Sequence, residues 1–280
     1  MCFIVQVRAE ESAQTVGLQS GDGSPILAIR ASEDAEIGPH SRALIKSGIH
    51  VALPRGFAGF AVPSDMLVRD RGVTFANAPG LIDTGYRGEV CGIAFNTDAA
   101  RPARIARGEH FMDLYVRKTL RGDAAAPQEG KDMANPILTV RMLAEDLEAP
   151  SYAHDDDNGL DLRASESVVL APFERRAIPL GVGIGIEGPY IAQLQPRSGL
   201  SLKKGLSLVG SPRLIVDPEP STMLEAVFVN LDPSEPIAIE RGERVAQLVI
   251  TERADVEVRL VGELDETGRG TGGFGSSGSS

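Results

Sequence analysis

RGEHFMDLYV (residues 107–116) and RGERVAQLVI (241–250) each place an Arg-Gly-containing turn ahead of a short, mostly apolar run. The likeness extends towards the N-terminus of each. PILAIRAS (25–32) lies over NGLDLRAS (158–165), Pro39 over Pro172, and IKSGIHVAL (45–53) over IPLGVGIGI (178–186), all at a separation of 133 residues. The same offset carries Pro63 onto Pro196, Leu67 onto Leu200 and Gly72 onto Gly205, and a one-residue insertion then brings Asn96 onto Asn230. A register held this long describes an internal duplication, with the polar stretch RGDAAAPQEGKDMANP (121–136) between the copies. The expected organisation is a domain over 1–120, a linker over 121–136, a second domain over 137–267 and a Gly-rich tail over 268–280.

Within each copy, segments such as HVAL, GVTFA, EVCGIAF, YIAQLQ, EAVFVN and RVAQLVI are short, rich in Val and Ile, and bounded by Gly, Pro, Asn or Asp. No segment sustains a 3.6-residue apolar stripe, and MLAEDLEA (142–149) comes nearest. The fold class read from this pattern is all-β, with two tandem β-barrel or jelly-roll domains. The 31 Gly and 18 Pro among 280 residues, with no Trp, fit a chain of many turns and short strands. A formal charge of −11 argues against a broad electropositive surface for nucleic acid and leaves any anion site to local Arg and backbone N–H groups. Cys2 and Cys91 are too few for a disulfide framework, and no apolar run reaches the length of a membrane span. The opening MCFIVQVRAEES reads as neither a signal peptide nor a basic transit peptide, so a soluble, cytoplasmic protein is expected.

The copies differ where chemistry would sit. PRSGLSLKKG (196–205) is answered by PSDMLVRDRG (63–72), Asp161 by Ala28 and Gln247 by Asp113. Conversely, NAPGLIDTGYRGEV (77–90) of the first copy meets GSPRLIVDPEPSTML (210–224), which lacks Tyr and the paired Gly. Each copy retains what the other has lost, which points to one composite site built from both. Gly199 after Arg197-Ser198 lets backbone approach a ligand, while the hydroxyl and guanidinium suit phosphate oxygens. In the tail GRGTGGFGSSGSS (268–280), Arg269 and Phe274 stand among glycines, as in a lid that wraps phosphates and lays a ring on a base.

With these segments assembled, the chain resembles the dUTPases, hydrolases that split dUTP into dUMP and pyrophosphate. The family's five motifs resemble, in order, NGLDL (158–162), PRSGLSLKKG (196–205), NAPGLIDTGYRGE (77–89), GERVAQL (242–248) and RGTGGFGSSG (269–278). The third motif comes first along this chain, an order similar to that of the duplicated single-chain dUTPases of herpesviruses. The resemblance implies one site per chain, a monomer, and a nuclear setting if the source is a eukaryotic virus.

It also implies roles. Asp83 would be the general base that deprotonates the water attacking the α-phosphorus. Tyr86 would pack under the deoxyribose and exclude a 2′-hydroxyl, and the hairpin from Asn77 through Gly80 and Ile82 would read uracil with main-chain groups. Arg197, Ser198, Gly199 and Gln247 would hold phosphates; Arg269, Gly273, Ser276 and Ser277 would close over them, with Phe274 on the base. Asp161 would approach, through water, a Mg2+ carried mainly by the nucleotide. HDDDN (154–158) reads as a solvated loop, and Cys91 with His110 is set aside as a nucleophilic pair because both fall in apolar strand patterns. Two alternatives stay open at this point: a dCTP deaminase-like enzyme, and a dUTPase-like interaction protein that has lost catalysis.

Overall fold

The computed structural model describes residues 5–13, 17–20, 25–120, 138–215 and 219–252. The architecture is all-β: short antiparallel strands form several small sheets and one sheet of nine strands. The duplication reappears element by element. Ala35–Ile37 corresponds to Val168–Leu170, Phe57–Pro63 to Tyr190–Pro196, Val73–Phe75 to Leu206–Leu208, and Gly80–Ile82 to Arg213–Ile215, each at the offset found in the sequence. Beyond the insertion, the long strand His110–Leu120 corresponds to Arg244–Glu252.

Turn chemistry is duplicated with the strands. Gly48 and Gly181 both take left-handed backbone, at φ 67° and 72°, as do Gly72 and Gly205, at 62° and 80°. His40 and Phe173 are matched non-glycine residues in the same region, at φ 48° and 59°. Their rings meet edge to face, with centroids 4.8 Å apart, so equivalent corners of the two halves touch each other. Asn96 and Asn230, both wholly buried, do the same work in each half. The Asn96 amide donates to the carbonyls of Ile37, Gly38 and Arg101, and that of Asn230 to those of Leu170 and Glu235.

Two short helices depart from the all-strand expectation, at the equivalent positions Asp65–Arg71 and Ser198–Lys203. The first has a local cause in Ser64, whose hydroxyl accepts the Leu67 N–H, and in Gly72, whose left-handed backbone ends the helix. Both are too short to show a periodic apolar stripe. MLAEDLEA forms no helix; its middle is a turn around Asp146, at φ 59°.

Each half buries its own apolar core, one around Ile29, Phe111 and Leu114 and the other around Leu194, Phe228 and Leu248. The halves are joined by a shared strand. His110–Leu120 pairs with Phe57–Pro63 and Pro25–Arg30 of the first half. Its last two residues then pair with the second half, Thr119 opposite Thr251 and Leu120 opposite Ile250. Leu120 is a member of the second core. Around this crossing, Ala58 and Phe60 pack on Val249, flanked by Leu81 and Tyr115. A further contact sets Ala76, Ile93 and Phe95 against Leu231. Polar links reinforce it, with Arg42 Nη1 donating to Leu231 O at 2.9 Å and Ser207 Oγ to Ala76 O at 2.6 Å.

Truncating Leu120 should therefore weaken the second half although the residue ends the first half's strand. Leu120→Ala is expected to cost about 2–5 kcal/mol, measured by urea unfolding.

Candidate active site

Residues 77–90 are fastened at many points, which accounts for their density of glycines and ionisable groups. Gly80–Ile82 adds to the edge of Phe57–Pro63, with Ala61 opposite Gly80 and Gly59 opposite Ile82, so Asp83 emerges where the pairing ends. Thr84 Oγ1 donates to Phe57 O at 2.8 Å. The turn closes by Tyr86 N–H to Asp83 O at 3.1 Å, and Arg87 Nη1 donates to the carbonyls of Thr84 and Tyr86, each at 2.7 Å. The Tyr86 hydroxyl donates to Glu89 O at 2.8 Å, laying its ring over Gly88, where a Cβ would collide with it. Glu89 Oε1 accepts the N–H groups of Ser47 and Gly48, at 2.9 and 2.7 Å. His50 completes the anchorage, with Nδ1 3.0 Å from Arg87 O and Nε2 2.7 Å from Glu10.

Asp83 reaches into the other half. Its Oδ1 accepts the Asn158 backbone N–H at 2.7 Å and the Asn158 side-chain amide at 3.2 Å. Burial pushes its pKa up from the ordinary carboxylate value, and the charges of Asp157 and Asp161 add to the rise, while the two Asn158 donors pull against it. Asn158 is itself buried, and its Oδ1 accepts the Thr119 hydroxyl at 2.6 Å.

Asp161 lies three residues further along, on the strand Leu160–Arg163, opposite Gln247. It is only 3% exposed and sits between two guanidinium groups, Arg197 Nε at 2.9 Å from Oδ1 and Arg244 Nη1 at 3.2 Å from Oδ2. Arg197 is the N-cap position of the helix that begins at Ser198 and Gly199, and its Nη1 also donates to Arg244 O at 3.2 Å. Gln247 lies over Gly159, whose missing side chain leaves it room: a Cβ there would stand 3.0 Å from the Gln247 amide carbon. The next strand along brings in Gln195, opposite Gln247 in the ladder, wholly buried and, among the described residues, with neither amide atom hydrogen-bonded.

An unbroken run of neighbours thus links Asp83 through Asn158 and Gly159 to Gln247, and through Asp161 to Arg197, Ser198 and Gly199. Asn77 and Ile82 are buried on the hairpin, with Gly80 against the Asn77 amide, and Tyr86 is exposed beside it. Arg269, Gly273, Phe274, Ser276 and Ser277 lie outside the described residues. Sequence reasoning passed over Asn158, Thr119, Gln195 and Arg244. Asn158 and Arg244 carried a signal, as members of the NGLDL and GERVAQL segments, whereas Thr119 and Gln195 lie outside all five motifs.

Other polar clusters are accounted for locally. Asp157 Oδ2 accepts the His154 N–H at 2.8 Å, making HDDDN a turn, and Asp156 lies against Gly85. Among the described residues, no group of three or more His, Cys, Asp or Glu side chains could hold a metal ion. His110 pairs with Asp113 at 2.9 Å. Burial, with the charge of Glu89, pushes the Cys91 thiol up to about 12, where it is a poor nucleophile. Among the described residues, no helix is long and apolar enough to cross a membrane.

Comparison with known proteins bears directly on this cluster. The dUTPase family model matches residues 145–278. The deoxyuridine 5'-triphosphate nucleotidohydrolase of Mycolicibacterium vanbaalenii is 42% identical over 146 residues, 50% of this chain and 94% of that protein. The chain belongs to the dUTPase family. The enzyme of the same name from an Anaeromyxobacter species is 45% identical over 142 residues, covering 51% of this chain and 95% of its own. A solved structure of the Staphylococcus bacteriophage 80alpha dUTPase with dUPNHPP matches 51% of this chain and 98% of that one, at 30% identity and a TM-score of 0.45. In this member of the dUTPase family, Asn158, Asp161, Arg197 and Gln247 fall within the residues matched by the family model, whereas Asp83 and Tyr86 precede them.

The His50 anchorage carries a pH signature. The hydrogen bond to Glu10, then the Arg87 carbonyl, raises the His50 pKa above its ordinary 6.5, and the same pair lowers that of Glu10. The stabilising effect of His50 should be full below the ordinary histidine value and fade as pH rises through the raised one; in acid it should fade again as Glu10 protonates. Urea midpoints of wild type and His50→Ala, compared across pH, should differ most on the acid side of neutrality and converge in base.

Proposed function

We propose that the chain hydrolyses dUTP to dUMP and pyrophosphate in a single composite site between its halves. The observation that carries this reading is the contact of Asp83 with Asn158, which sets a buried carboxylate of one half beside the Asp161, Arg197 and Gln247 cluster of the other. Asp83 is the general base. Burial raises its pKa, in the direction that makes a carboxylate take a proton from water more readily, while the two Asn158 donors pull the other way and favour the ionised form. The deprotonated water attacks the α-phosphorus in line with the departing pyrophosphate, and the α–β bridging oxygen leaves with the bond electrons.

Arg197, Ser198, Gly199 and Gln247 bind phosphate oxygens. The first backbone N–H groups of the helix at Ser198 have no partner within the helix, and Arg197 is held beside Asp161, its Nε 2.9 Å from Oδ1. The hairpin from Asn77 to Tyr86 reads the uracil edge with main-chain donors and acceptors, and the Tyr86 ring, held over Gly88, fills the space a ribose 2′-hydroxyl would need. Arg269, Gly273, Phe274, Ser276 and Ser277 supply the closing tail. The donor set at Asp161 suits an outer contact with Mg2+, since guanidinium groups already face both carboxylate oxygens. Asp161 would therefore hold a water of a nucleotide-borne Mg2+, whose charge would offset that of the triphosphate. One full set of segments per chain supports a monomer with one site.

Pyrophosphate release from dUTP tests the reading. Asp83→Ala is expected to lower kcat by about 10²–10⁴-fold with a small change in KM; equal rates for wild type and variant would remove the enzymatic reading. Tyr86→Ala should narrow the preference for dUTP over UTP by raising UTP turnover.

A further inference from the structure

We propose that Asn158, backed by Thr119, is a positioning residue for Asp83: its amide fixes which carboxylate oxygen faces the attacking water and ties that orientation to the junction between the halves. This rests on the reading of Asp83 as the base. Among the described residues, both hydrogen bonds accepted by the Asp83 carboxylate fall on Oδ1, one from the Asn158 backbone and one from its side chain. Oδ2 is thereby the oxygen offered to water. An ionised carboxylate can only accept, so the amide must turn Nδ2 towards Asp83 and Oδ1 away from it. The outward Oδ1 would be a buried acceptor without a donor were it not for Thr119, 3% exposed, whose hydroxyl lies 2.6 Å away.

Thr119 is placed by the same pairing that joins the halves, opposite Thr251. The hydroxyl that steadies the amide is therefore in position only when the long strand has crossed into the second half. The backbone contact from Asn158 would persist without its side chain, so the side chain adds a distinct and removable share of the orientation.

Removing the side-chain donor also has a defined electrostatic direction. Asp83 faces Asp157 and Asp161 from the second half, Asp156 lies at Gly85, and Arg87 is turned onto carbonyls of its own loop. Arg197 and Arg244 are engaged with Asp161. With one donor fewer among these charges, the ionised form of Asp83 is less favoured and its protonation moves to higher pH.

The test combines kinetics with a direct titration. In Asn158→Ala, kcat for dUTP should fall about tenfold, as expected when a charge-assisted hydrogen bond is lost, with KM little changed and the acid limb of the kcat profile at higher pH. Thr119→Val should act in the same direction with a smaller loss, and Thr119→Ser, which keeps the hydroxyl, should restore the wild-type profile. The ¹³C titration of the Asp83 carboxyl needs no turnover and should move to higher pH in Asn158→Ala. A titration and acid limb unmoved in both Asn158→Ala and Thr119→Val would overturn the positioning role while leaving dUTP hydrolysis intact. A wild-type chain that releases no pyrophosphate from dUTP would overturn the parent reading, and this role with it.

Discussion

The carboxylate of Asp83 is satisfied by a residue 75 positions further along the chain and in the other half of the molecule. Burying a carboxylate is costly unless donors meet it, and here the donors belong to a segment that Asp83's own half does not supply. The constraint runs both ways. The halves must dock for the carboxylate to be paired, and the residues that dock them, Thr119 and Leu120, end the strand that packs the first core. Pairing of the Asp83 carboxylate and closure of the junction between the halves are the same structural event.

The duplicated ladder shows how the two halves share a fold while only one carries the buried charged cluster. In the second half Asp161 stands opposite Gln247, and Arg197 and Arg244 converge on it. At the equivalent ladder position of the first half, Ala28 stands opposite Asp113. The counterparts of the two arginines are Ser64 and His110. Replacing a buried Asp by Ala removes the need for two guanidinium partners, and each position took up a structural task instead. Ser64 caps a helix and donates to the His110 carbonyl, where Arg197 donates to that of Arg244. His110 pairs with Asp113. All three positions of the cluster differ between the halves together, as expected where one charge without the others would be buried and unpaired.

Much of this was legible before any coordinates. Apolar alternation at a constant offset sufficed for the two halves, because strand period and turn glycines such as Gly48 and Gly181 are local properties of sequence. The segments of the site were legible by contrast, as places where aligned copies differ in charge and glycine content. What stayed hidden was tertiary. Thr119 is an ordinary strand threonine until the strand crosses between halves, and Asn158 is a loop asparagine until Asp83 arrives. The helices leave no periodic trace because each is too short: Ser64 and Gly72 enclose only seven residues in the first, and the second, of six residues, starts at Arg197 without a side-chain cap.

Gln195 shows the limit of reading polarity as function. A polar residue in the strand Tyr190–Pro196 would ordinarily mark a solvent face, yet this one is wholly buried and, among the described residues, its amide has no partner. Its side of the strand is the side away from the second core, since Ala192 and Leu194 supply that core. Across the ladder lies Gln247, and two residues beyond Gln247, Val249 packs against Ala58 and Phe60 of the first half. The counterparts of Gln193 and Gln195 in the first half are Phe60 and Val62. One half thus presents an apolar strand face to the junction and the other a glutamine-lined one. A junction apolar on both sides would bury more favourably than one lined with glutamines beside Gln247. Gln193 answers part of that cost by donating from Nε2 to the Thr251 hydroxyl at 3.3 Å, beside the pairing of Thr251 with Thr119 that joins the halves.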